Sequence, residues 1–184
     1  MNIPELLEKA RLEPQAFIPI YQHFYPRVYA YVAYRVGRAD DAEDIVSEVF
    51  MRVIAKLNQF EYRGEGSFSA WLFRIASNEV NRFYNRNRHG SDNVSLDLVP
   101  DIESENLPVE IMVQKKEQFV HLRHLIDRLS PRRQEIVQLK FFGELRNFEI
   151  ADILGLDERT VAAHLSRALD DLREFAKQGG YIHA

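Results

Sequence analysis

Cysteine is absent from this 184-residue chain, which excludes disulfides, thiolate zinc sites and cysteine nucleophiles together. No apolar run approaches the roughly 20 residues that a membrane-spanning helix needs. The first residues, Met1 to Arg11, are interrupted by Glu5, Glu8 and Lys9, which is not the pattern of a signal peptide. Strand-like alternation is missing, and so are a phosphate-cradling glycine loop and any nucleophile triad. His121 and His124 stand three apart, but no third His and no Cys completes a metal site. These absences predict a soluble cytoplasmic protein with no catalytic residues, metal, cofactor, small-molecule substrate or membrane insertion.

A hydrophobic fraction of 46% is enough to bury a core, so a folded chain is expected. The net charge of −4 at first argues against a nucleic-acid partner. Its distribution reverses that reading. Residues 1–88 and 113–184 are each close to neutral, whereas 89–112 hold no Lys or Arg and carry Asp92, Asp97, Asp101, Glu103, Glu105 and Glu110. Gly90, Ser91, Pro100 and Pro108 lie in the same stretch, which reads as an acidic, flexible linker between two small helical domains.

In the first domain, Phe17, Ile20, Tyr21, Phe24 and Val28 recur at three- and four-residue steps, the period of an amphipathic helix that Gly37 can end. Pro26 inside it predicts a kink or break near Tyr25. A second helix is expected from Asp40, with acids crowding its first turn, where the helix dipole favours them. Residues 59–67 form a glycine-containing loop, and Ser67 is expected to cap a third helix reaching about Arg88. In the second domain a helix is expected over Val113 to Leu129, and Ser130-Pro131 opens another that Gly143 can close. Two shorter helices, near 147–154 and 158–177, flank Gly155-Leu156-Asp157.

That last pair has the pattern of a helix-turn-helix. Ala151 permits close approach, Gly155 makes the turn, Asp157 can cap the second helix, and Ile150, Leu154, Leu156, Val161 and Leu165 supply a small core. Such a unit presents the start of its second helix to the major groove.

Here the residues resemble a known family. The run Leu129 to Val137 (LSPRRQEIV), the run Glu149 to Leu156 (EIADILGL), Thr160-Val161 and Arg167-Ala168 resemble the fourth conserved region of bacterial sigma factors. Independently, Asp41 to Phe50 (DAEDIVSEVF) and Phe68 to Asn78 (FSAWLFRIASN) resemble the second region. Two motifs in this order, with no domain between them, are similar to the minimal extracytoplasmic-function group. The resemblance implies an all-α chain in three parts. Residues 1–88 form a region-2-like domain for polymerase docking and the minus-ten element, 89–112 a linker, and 113–184 a region-4-like domain for the minus-thirty-five element.

The resemblance also implies partners: bacterial core RNA polymerase, promoter DNA and an anti-sigma factor. Asp41, Asp44, Glu48 and Arg52 share a helix face and become candidates for polymerase docking; Ser47 stands where the family often has glutamine. The minus-ten candidates are Phe60 and Tyr62, which can stack on an extruded base, with Arg74, Asn78, Asn81, Arg82, Asn85 and Arg86 on the third helix. For the minus-thirty-five element they are Arg159, Thr160, Ala163, His164, Ser166 and Arg167, a sparsely basic set that predicts weak autonomous DNA binding. The linker either enters the RNA-exit path of the polymerase or serves as a solvated tether. The competing reading is a stand-alone helix-turn-helix regulator with a helical sensing or dimerisation domain.

Overall fold

A computed structural model describes residues 1–87 and 109–179, with side chains over 1–86 and 118–179. The regular elements are helical, in agreement with the periodicity: α1 (Ile3–Leu12), α2 (Ile18–Val36), α3 (Ala39–Lys56), α4 (Ser67–Asn87), α5 (Val109–Asp127), α6 (Pro131–Phe141), α7 (Asn147–Leu154) and α8 (Glu158–Gln178). Short 3-10 turns cover Pro14–Phe17 and Leu57–Gln59. Of the stretch expected as a linker, residues 89–108 lie outside the described residues. Its last four, 109–112, belong to α5, so the helix begins four residues before the expected Val113.

Helices α2, α3 and α4 pack round Ile20, Val28, Val49, Val53, Leu72 and Phe73, all fully buried. Each such side chain contributes about 1.5–3 kcal/mol relative to exposure. That burial explains why, of the expected kink or break at Pro26, the break does not occur and α2 runs on through the proline. The proline ring faces solvent, while Phe24 and Val28 on either side are held in the core. Tertiary packing outweighs a local penalty of about 3 kcal/mol. Gly37 ends the helix as expected: its φ of 82° is left-handed, and its N–H donates to the Ala33 carbonyl at 3.1 Å.

Two expected caps use other groups. The Ser67 hydroxyl turns back into the preceding loop, donating to the Gly64 carbonyl at 2.7 Å and accepting from the Arg63 N–H at 3.2 Å. Ser130 occupies the N-cap position with Pro131 after it, but its hydroxyl makes no capping bond. The Gln134 amide does the local joining, donating to the carbonyls of Asp127 and Leu129 at 2.9 Å each and tying the end of α5 to α6.

The two halves share one buried cluster, in which Ile136, Leu139, Leu145 and Ile150 join the first-half core. Tyr34 of α2 reaches a second cluster with Ile126, Leu129, Val137 and Ala168, stacked on Phe142 at a centroid distance of 4.2 Å. Burial pushes its phenol pKa well up, and the hydroxyl has no partner. Arg27 of α2 grips the α6–α7 turn, with Nε and Nη2 donating to the Gly143 carbonyl at 3.0 and 2.8 Å and Nη2 to the Glu144 carbonyl at 3.1 Å. Burial is the main influence on its pKa and lowers it; Glu149 and Glu144 oppose that shift. A β-carbon on Gly143 would stand 2.9 Å from the Phe73 ring and 2.7 Å from the Leu139 carbonyl, so glycine is required there for close approach.

Candidate functional site

Three surfaces carry the candidate residues. On α3 the outward face presents Asp44 and Glu48, both exposed. Asp41, half-buried, lies 3.6 Å from Arg38, and Glu48 pairs with Arg52 at 2.7 Å. Arg52, however, turns inward. Its Nε lies 2.8 Å from Oε1 of Glu79, a carboxylate only 6% exposed, held by proximity rather than a linear hydrogen bond. Arg52 is therefore an internal strut between α3 and α4 rather than a free docking cation. The same outward face continues into Met51 and Ile54, 67% and 51% exposed, which a search for charged positions alone overlooks. Helical spacing from Glu48 would have found them.

The second surface is α4 with the loop before it. Phe60 is not available for stacking: it is buried, with its ring centroid 4.7 Å from Trp71 and 5.6 Å from Phe68. Its apolar ring gains more from that aromatic cluster than from water. Tyr62 remains exposed. On α4, Asn78, Asn85 and Arg86 are exposed, Asn81 accepts from Arg35 at 3.2 Å, and Arg82 lies 3.5 Å from Glu79. Arg74 is engaged by the other half of the chain. Its Nη2 donates to the Asp152 carbonyl at 2.6 Å and lies 3.3 Å from the Asp152 carboxylate. A cleft of about 530 Å³ runs between the loop, Trp71 and Arg74 on one side and Phe148 and Asp152 of α7 on the other.

The third surface is the helix-turn-helix, which folds as its sequence predicts. Ile150, Ala151 and Val161 are buried between α7 and α8, and Gly155 makes the turn at φ 65°. Asp157 caps α8: Oδ1 accepts from the Thr160 N–H at 2.8 Å, and the Thr160 hydroxyl donates to Oδ2 at 2.7 Å. The Thr160 hydroxyl bond, then its N–H bond, holds the Asp157 carboxyl below its ordinary pKa. Thr160 is thus committed to the cap. Arg159, Ala163, Ser166 and Arg167 are exposed along α8, while His164 is half-buried with an unpartnered Nδ1. Among the described residues no group of His, Asp and Glu could hold a metal, and no helix is long and apolar enough to cross a membrane.

The arrangement has known counterparts. The profile of Sigma-70 region 2 matches residues 20–90 and that of Sigma-70 region 4 matches residues 120–172. The ECF RNA polymerase sigma factor BldN of Streptomyces coelicolor is 32% identical over 169 residues, which are 91% of this chain and 63% of BldN. The chain belongs to the ECF group of sigma factors. The ECF sigma factor RpoE of Cereibacter sphaeroides is 29% identical over 159 residues, 86% of this chain and 85% of that protein. Two solved structures share the fold. CnrH in complex with the cytosolic domain of CnrY gives a TM-score of 0.69 at 18% identity, covering 94% of this chain and 96% of that one. RpoE in complex with the anti-sigma factor NepR, from Bartonella quintana, gives 0.65 at 24% identity, covering 88% and 96%.

The region 2 match therefore takes in α2, α3 and α4, and the region 4 match the end of α5 and nearly all of the helix-turn-helix. What sequence reasoning missed in this sigma factor is the contact between them. Arg27, Tyr34, Gly66 and Phe148 carry no local signal for it, because their partners lie far along the chain.

Proposed function

We propose that the protein binds bacterial core RNA polymerase and directs it to a two-part promoter. The observation that carries this reading is one chain holding, in order, a region 2 unit and a region 4 helix-turn-helix. Residues 1–88 dock on polymerase and handle the minus-ten element, 113–184 take the minus-thirty-five element, and 89–112 join them. Docking uses the α3 face around Asp44 and Glu48, with Met51 and Ile54 as its apolar part. Tyr62 stacks on an extruded base, while Arg74, Asn78, Asn85 and Arg86 follow the displaced strand. Arg159 and Arg167 contact phosphates of duplex DNA, with Ser166 and Ala163 nearest the base edges. So few cations imply weak binding by α8 alone, and tethering through polymerase raises its effective concentration. Catalysis belongs to the polymerase. An anti-sigma factor is the expected regulator, as NepR is the partner of RpoE from Bartonella quintana.

Run-off transcription with core polymerase on a library of promoter fragments tests this. Initiation should depend on the protein and share a two-part sequence. D44K/E48K should weaken polymerase binding by about tenfold, which is 1.4 kcal/mol, while leaving the fold intact. If core polymerase neither binds nor initiates with the purified chain, the sigma reading falls.

A further inference from the structure

Arg74, Asn78, Asn81 and Asn85 fall at steps of four, three and four residues along α4, so they form one row, and all of them are exposed. Asn81 stands inside that row and its amide is held from behind. Its Oδ1 accepts from Nη2 of Arg35, at the end of α2, at 3.2 Å. Arg35 is itself fixed. Its Nη1 donates to the hydroxyl of the fully buried Tyr31 at 2.9 Å, and its guanidinium lies 5.7 Å from the centre of the Tyr31 ring. One turn beyond Asn81, the Tyr84 hydroxyl donates to the Arg35 carbonyl and ties this end of α2 to α4.

These contacts decide the polarity of one amide. A guanidinium carries donors and no acceptor, so it engages only the oxygen of an asparagine side chain. With Oδ1 held by Arg35, the end of Asn81 left for a ligand is Nδ2, whose hydrogens can only donate. An unrestrained asparagine can turn either end to a base. We propose that Arg35 is a positioning residue that makes Asn81 a donor-only reader of one minus-ten base. Such a reader selects keto bases over amino bases. Thymine O4 accepts where cytosine carries an amino group, and guanine O6 accepts where adenine does. The inference rests on the sigma reading, which supplies the identity of the strand surface. It returns Asn81 to the DNA-reading set with a defined chemistry, and Arg35 acts through it.

The test is run-off transcription by core polymerase with the full-length chain, on promoters carrying each of the four bases at every minus-ten position. The readout is the ratio of initiation on keto and amino templates for one protein preparation, so any loss of folded protein or of overall DNA affinity cancels. Wild type should prefer keto bases by about fivefold at one position, the worth of a single hydrogen bond. N81A should abolish that preference and so mark the position. N81D is nearly isosteric: one carboxylate oxygen keeps the bond from Arg35 and the other presents an acceptor in place of the donor. Its preference should reverse toward adenine and cytosine at the marked position and nowhere else. R35M releases the amide to turn, and the ratio should fall below about twofold. If R35M does not fold, N81D decides alone. A wild type without a keto preference at any position, an N81A ratio equal to wild type, no reversal in N81D, or a wild-type ratio in folded R35M overturns the inference. A wild type that neither binds polymerase nor initiates counts instead against the sigma reading.

Discussion

Replacing Arg52 by Ala strips the main counter-charge from Glu79, a carboxylate that is 6% exposed between α3 and α4. Removing one partner of a buried ion pair costs about 3–5 kcal/mol, because the other charge is left unpaired out of water. Two features reduce that here. Arg82 stays within 3.5 Å of Glu79, and the Arg52 side chain is 30% exposed, so water partly replaces it. The expected loss is about 2–3 kcal/mol, equivalent to a fall in Tm of roughly 5–10 °C for a chain of this size. R52M/E79M removes both charges and keeps the apolar volume, and should lie within about 1 kcal/mol of wild type. Urea unfolding followed by circular dichroism separates the three proteins. If R52A is as stable as wild type, or the double variant is as damaged as the single one, the strut argument is wrong. The double variant also decides a functional question. A strut leaves polymerase binding intact in R52M/E79M, whereas a direct contact loses it.

The two loop aromatics should separate in the same way: F60A is expected to cost about 3–5 kcal/mol through its cavity, while Y62A keeps the fold and loses promoter opening, read by permanganate reactivity at the minus-ten element. Ile150 is fully buried between α7 and α8; I150A should cost about 2–5 kcal/mol and abolish duplex binding by the helix-turn-helix in a gel-shift assay. Asp157 gives a pH signature. Its carboxyl pKa is depressed by Thr160, so its stabilisation is complete above the ordinary carboxylate range and fades as pH falls through the depressed value. The Tm difference between wild type and D157A should therefore be full at neutral pH and vanish in strong acid; a difference that persists there contradicts the charged-cap account.

Local chemistry was legible in the sequence. The three- and four-residue spacing of Ile20, Phe24 and Val28, the left-handed stops at Gly37 and Gly155, and the Asp157 cap each depend on residues within a turn or two. The order of the two motifs was legible for the same reason, and with it the family. Where sequence reasoning failed, a distant partner had changed the local answer. Pro26 stays inside α2 because Phe24 and Val28 are buried by α3 and α4. Phe60 leaves the stacking set because Phe68 and Trp71 enclose it, and Arg52 turns inward because Glu79 lies beneath it. The sequence by itself determined most of the helices, the stops at Gly37 and Gly155, the Asp157 cap and the two conserved units, since those follow from backbone propensity and short-range periodicity. Tertiary structure alone decided which of the charged and aromatic side chains remain free to meet DNA or polymerase. Arg74 and Asp152 show why: they lie on different units, and only the packing of α4 against α7 brings their charges together.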